Sequence, residues 1–229
     1  MNELKTIITD ETVLSERCDE VDTVKEMKEA REIIANIKAV IRKNELNSLG
    51  AHALGYSKRI FCVNFSDNEI KTFINPIITK AEGLVLSDET SSVLPGKRYL
   101  IPRNNKIAIM YTSPLGKIES REISGAAAAV FQQEIHLLDG ILLSDLGLEI
   151  DEQFDQATQE EREELINFYL DSLDIKQKEI DKEIQSDEDL KRISDATEFM
   201  TQAKEGKIEF MDYRSPEANN PENNEECKE

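Results

Sequence analysis

The sequence predicts an α+β fold with an acidic helical extension, and three observations predict it. Up to about residue 150 the chain runs in short β-rich segments punctuated by Pro and Gly. Two segments in that stretch, 24–42 and 124–140, read instead as helices. Beyond 150 the texture changes to long polar helical patterns, and the charge changes with it. Residues 1–150 carry 22 acidic and 18 basic side chains, whereas 151–229 carry 25 and 10. The chain therefore divides into a core over 1–150, an acidic helical extension over 151–212 whose first helix packs on the core, and an acidic tail over 213–229.

Each element has its own signature. From Val24 to Arg42, the residues Met27, Ile33, Ile34, Ile37, Val40 and Ile41 recur at helical spacing. A loop of small residues follows, NELNSLGAHALGYSKR. RIFCVNF (59–65) and KTFINPII (71–78) read as strands, and VLPGKRYLIP (93–102) as a turn and a short extended piece. KIAIMYT (106–112) and KIESREI (117–123) flank SPLG, a hairpin turn containing Pro. In SGAAAAVFQQEIHLLDG (124–140), Ser124 is the expected N-cap and Gly140 the expected stop. Its Ala-rich start predicts close packing against the strands. Thr158 and Glu161 fit a capping box ahead of Leu165, Ile166, Tyr169, Leu170 and Leu173, in a helix running to about Ile184. A second helix is expected from Asp187 to about Lys204. The final stretch, SPEANNPENNEECKE, is polar and rich in Pro and Asn, and is expected to be disordered.

Composition excludes several function classes. The 229 residues hold 47 acids against 28 bases, a net charge of -19. Direct nucleic-acid binding needs a basic footprint, so this acidity argues against it. No run of apolar residues is long enough to span a bilayer, and the first twenty residues lack the pattern of a secretory signal. Cys18, Cys62 and Cys227 are far apart and form no CxxC, which points to a reducing compartment. With only His52 and His136 besides, a zinc site of dedicated Cys and His ligands is not expected.

Four fragments, taken in order, resemble the peptide deformylases: LGYSKRIFCVNF (54–65), FINPII (73–78), VLPGKRYLIPR (93–103) and FQQEIHLLDGILLSDL (131–146). The likeness covers roughly residues 5 to 170. It implies a peptide-deformylase-like fold, with mixed and antiparallel sheets around a central helix. It also implies a divalent metal held by the Cys of E-G-C-L-S and the two His of H-E-x-x-H. In that family the Glu of H-E-x-x-H is the acid/base, and the Gln of G-x-G-L-A-A-x-Q steadies the oxyanion. The reaction removes the formyl group from the N-terminal formyl-methionine of new proteins, and the peptide lies as an added strand beside a sheet edge.

Carried onto this chain, the motifs lose most of their chemistry. Anchored on Gly55, Ser48-Leu-Gly-Ala-His-Ala53 lies over the first motif, so Ala53 stands where the oxyanion Gln would be. Anchored on Arg98 and Pro102-Arg103, Ser91 takes the place of the thiolate ligand. Anchored on Glu134, Leu138 and Gly140, Gln133 and Leu137 take the places of the two imidazoles. Of the catalytic set only Glu134 remains. His136 precedes the second ligand position by one residue and reads as a surface or supporting histidine, and His52 as structural or exposed. Ser91, Glu134 and His136 do not form a hydrolase triad, since no nucleophile elbow surrounds Ser91. Cys227 reads as incidental.

These positions predict a catalytically inactive, deformylase-like protein with no cofactor and no metal. It would bind a protein partner or form part of a larger assembly, without direct nucleic-acid or membrane contact. Its expected setting is the cytoplasm of a bacterial or phage-infected cell, with a viral particle as the further extrapolation. The alternative is a divergent metal-dependent hydrolase with relocated ligands drawn from Glu89, Ser91, Gln133, Glu134 and His136.

Overall fold

A single sheet of seven strands organises the described residues, with every pairing but one antiparallel. The computed structural model describes residues 5–66, 69–183 and 209–211. The strands are β1 (Ser48–Gly50), β2 (Ile60–Ser66), β3 (Glu69–Ser91), β4 (Leu94–Thr112), β5 (Ile118–Ser124), β6 (Leu148–Ile150) and β7 (Glu209–Met211). The first five lie in chain order across the sheet, while β6 joins β4 and β7 joins β3 in parallel. The helices are α1 (Glu11–Leu14), α2 (Met27–Asn44), α3 (Ala126–Leu138), α4 (Leu143–Leu146), α5 (Glu152–Gln156) and α6 (Gln159–Glu183), with a 3-10 turn at His52–Leu54. The architecture is α+β, as the sequence predicts.

The expected pieces at 71–78 and 93–102 are parts of something longer. The β3–β4 ribbon pairs from Ile74 opposite Thr112 to Ser91 opposite Leu94, and residues 79–91 continue β3. Its register shifts between Ile74 and Ile77, between Ile78 and Lys80, and between Thr90 and Ser91. Each shift bends a ribbon and sharpens its twist. One half of the ribbon therefore faces α3 and the other faces the C-terminal helices. On the first half, Phe73, Ile107 and Ile109 join Phe61 and Phe131 in one core. On the second, Leu86 and Leu100 pack on Phe154 and Ile150, and Leu84 packs on Tyr169 and Leu170.

Helix α3 crosses the sheet where the sequence places its central helix. Ala128 and Ala129 are wholly buried, so the backbone lies close to the strands. Phe131 meets Phe61 and Phe73 edge-on, at centroid separations of 5.3 and 4.7 Å. Such geometry contributes about 1 kcal/mol per pair beyond area burial. Ser124 is not the N-cap. It is the last residue of β5, opposite Lys106, and the cap position falls to Gly125 at φ +64°. The strand-to-helix corner needs a positive φ, which glycine adopts at least cost.

The C-terminal stop is as expected. The Gly140 N–H donates to the Leu137 carbonyl and the Ile141 N–H to that of His136, closing a Schellman motif. Gly140 has φ +76°, and a Cβ there would lie 2.4 Å from the Ser15 carbonyl oxygen.

Helix α2 buries Ile33, Ile34, Ile37, Val40 and Ile41, the stripe its periodicity marks. Thr158 and Glu161 form the capping box at the start of α6: the Thr158 N–H donates to Glu161 and the Glu161 N–H to the Thr158 hydroxyl. Arg98 ties the C-terminal region to the sheet, at 2.6 Å from Asp155 and 3.1 Å from Asp88. The expected helix over 187–204, the acidic tail and Cys227 lie outside the described residues. Among those residues, no helix is long and apolar enough to cross a membrane.

Gly140→Ala should combine left-handed strain with a clash against fixed backbone. The expected loss is about 2 kcal/mol or more of unfolding free energy. Urea denaturation of the full chain measures it, and an unchanged midpoint would contradict this packing of α3 on residues 15–16.

Candidate active site

A three-residue strand lies at one edge of the sheet. Among the described residues strand β1 pairs with β2 alone, through Ser48 opposite Val63, Leu49 opposite Cys62 and Gly50 opposite Phe61. Flanking bonds from the Asn64 N–H to the Asn47 carbonyl and from the Ala51 N–H to that of Ile60 fix which residues face β2. Antiparallel strands alternate, so the peptide groups of Ser48 and Gly50 turn away from β2.

Glu134 comes to this edge from α3. Its Oε1 accepts a 2.6 Å hydrogen bond from the Ser48 hydroxyl, while its Oε2 is buried without a hydrogen-bond partner. A Cβ at Gly50 would sit 3.1 Å from that Oε2, so glycine leaves the space the carboxyl occupies. Burial disfavours the charged form and raises the Glu134 carboxyl to about 7, with the Ser48 bond opposing the rise. A carboxyl poised near neutrality accepts and returns a proton at little cost.

The three positions that the motif alignment sets over the metal ligands share a pocket. Ser91, Gln133 and Leu137 line one small pocket with Arg103, His136 and Val93, and its interior holds about 10 Å³, room for one water. Their chemistry does not suit the implied metal. Leu137 has no donor atom, Gln133 spends its amide N–H on the Thr90 carbonyl, and the Ser91 hydroxyl accepts from the Val93 N–H. The relocated set is not assembled either. Arg103 grips Glu89 through two 2.8 Å bonds and donates to Nδ1 of His136 at 2.9 Å. Among the described residues no group of three or more His, Cys, Asp or Glu side chains could hold a metal.

The remaining predicted positions are structural in their contacts. Ala53 is buried in the 3-10 turn and offers no side-chain donor. His52 is also buried, with Nδ1 at 3.0 Å from the Leu137 carbonyl and Nε2 at 3.0 Å from that of Val13. His136 reaches the pocket despite its offset on the helix, with Arg103 bonded to its ring. Cys18 and Cys62 are buried thiols, both pushed up to about 12 by burial, and neither supplies a thiolate at neutral pH. Ser48 is the residue that sequence reading passed over. It entered only as the first member of an aligned motif, and its partner lies 86 positions away.

Residues 4–151 match the family described as polypeptide deformylase. A peptide deformylase of Thermodesulfovibrio yellowstonii is 37% identical over 42% of this chain and 61% of its own. One of Symbiobacterium thermophilum is 36% identical over 42% of this chain and 46% of its own. The chain thus spans less than two thirds of the length of these relatives. Among solved structures, a peptide deformylase from Thermus thermophilus superposes with a TM-score of 0.55 at 26% identity, over 74% of this chain and 92% of that one. A probable peptide deformylase from a synechococcus phage gives 0.58 at 27% identity, over 62% and 99%. These matches overturn the expectation of a catalytically inactive structural or protein-binding component. The relatives carry the name of an enzyme, and the neighbour of viral origin is itself a probable deformylase. The expectations of a pseudoenzyme, a virion component and a metal-free protein are left without support.

Glu134→Gln should stabilise the fold, and the sign follows from burial. The folded-state carboxyl binds its proton more tightly than the unfolded one, so wild-type stability falls as pH rises from about 4.5 through about 7. Glutamine carries no charge to desolvate. The variant should gain on the wild type by roughly 3 kcal/mol between pH 4 and pH 8. Denaturation curves at the two pH values measure the difference, and an equal offset at both would contradict the burial of Glu134.

Proposed function

Because the chain belongs to the polypeptide deformylase family, we propose that it is a divergent amide hydrolase of that class, acting on N-terminally formylated peptides. The observation that carries this reading is the Glu134 carboxyl, poised near neutrality at an edge strand and bonded to Ser48 at 2.6 Å. A peptide aligns as an added strand beside β1, using the peptide groups of Ser48 and Gly50 that turn away from β2. Glu134 takes a proton from the water that attacks the formyl carbon and returns it to the departing amine as the C–N bond breaks. The donors at the ligand positions do not fit the family's metal, and no step is assigned to one. Arg103, Glu89 and His136 hold the β3–β4 ribbon against α3 and so fix where Glu134 sits. Unpaired buried thiols at Cys18 and Cys62 accord with a cytoplasmic setting.

The test is release of formate from an N-formyl-methionyl tripeptide by the full chain. The rate should climb with pH, since the carboxylate is the active form, and level off above about 7. Glu134→Gln should lower it by about 10²- to 10⁴-fold. Release of formate with no dependence on Glu134 would overturn the role given to this residue, and no release at any pH would overturn the reading.

A further inference from the structure

Two residues show which way the edges of the β3–β4 ribbon face. Asn104, opposite Leu84, donates its N–H to Gln132 Oε1, and its carbonyl accepts from Gln132 Nε2. The Thr90 carbonyl accepts from the Gln133 side chain. Both residues therefore turn these groups away from the ribbon's own ladder. Pairing runs without a register shift from Lys80 to Thr90, so the peptide groups of Leu84, Leu86, Asp88 and Thr90 all point away from β4. Among the described residues, β7 is the one strand on this stretch of outer edge, and it lies parallel with Phe210 beside Leu86. In a parallel ladder of that register the Leu86 N–H faces the Glu209 carbonyl, and the Met211 N–H faces that of Leu86.

The same edge leads into the site. Consecutive residues of α3 reach two strands, Glu134 to Ser48 of β1 and Gln133 to Thr90 of β3. The edges of β1 and β3 thus flank one turn of α3, and Ser91 at the end of β3 lines the pocket beside it. A peptide laid along β1 over Glu134 has the edge-facing groups of Asp88 and Thr90 on its other side. Because β7 runs parallel to β3, the chain leaves Met211 in the direction of Asp88, Thr90 and that pocket. Three residues of parallel pairing are a weak hold. As part of the same chain, however, β7 returns to the edge at an effective concentration on the order of millimolar.

We propose that β7 is a built-in competitor: it occupies the β3 edge that leads into the site, and a formylated peptide enters by displacing it. The inference rests on the hydrolase reading above and names how that site is regulated.

The experiment uses the full chain and an N-formyl-methionyl tripeptide. Backbone hydrogen exchange is followed by mass spectrometry over residues 84–91 and 209–211, with and without the tripeptide in excess. The expected result is faster exchange at 209–211 when the tripeptide is present, as β7 is released. Met211→Pro removes the N–H that faces Leu86, and should lower KM by about tenfold with kcat unchanged. The exchange is read on unaltered protein, so it decides even if the variant fails to fold. Turnover with the same KM in both proteins, and exchange at 209–211 indifferent to the tripeptide, would overturn the competition and leave the hydrolase reading intact. Faster exchange at 209–211 without turnover in either protein would uphold the competition and overturn the hydrolase reading. Absence of both responses would overturn both.

Discussion

The hydrogen bond from Ser48 to Glu134 joins the edge of the sheet to the helix that crosses it, and the rest of the site depends on it. A carboxyl buried without a partner would cost several kcal/mol, and one hydroxyl offsets part of that. The offset is incomplete, because the second oxygen stays unpaired. The imbalance gives the group its character. Full pairing would hold the carboxyl ionised and inert, whereas partial pairing in a dry setting leaves it near its titration point.

Such a group needs a rigid surround, and the core supplies one. The ring of Phe61, Phe73 and Phe131 fixes the helix axis over the strands. His52 spans the carbonyls of Val13 and Leu137, and Arg59 meets Asp139 at 2.6 Å. Both tie the end of the helix to the N-terminal region and to the first strands. Arg103 and Glu89 are almost wholly buried, so removing either alone would strand a charge in the interior. These contacts hold α3 against the β3–β4 ribbon and the N-terminal region.

Much of the fold was legible in the sequence because its signals are local. Helical spacing marked α2, the Pro-containing turn marked the β4–β5 hairpin, and Thr158 with Glu161 marked the start of α6. The long β3–β4 ribbon was not legible as one unit. Its continuity depends on cross-strand register and on bulges, which no short window records. Ser124 misled because a residue that favours caps can equally finish a strand. At the site, the motif alignment named Ser91, Gln133 and Leu137, which the fold brings into one pocket. It could not show that Arg103 would engage His136 across 33 positions, or that Ser48 would engage Glu134 across 86. Reading the site as a list of lost ligands hid the pair that remains.

The claim on which everything else turns is that Glu134 titrates near neutrality in the folded chain. It can be observed directly, without substrate, by carbon NMR of protein labelled at the glutamate carboxyls. One resonance should move with a midpoint near 7 and be missing from spectra of Glu134→Gln. A spectrum in which every glutamate titrates in the ordinary range of about 4 to 5 would contradict the account. It would mean that Glu134 is solvated, and that the edge of β1 is not the seat of the chemistry.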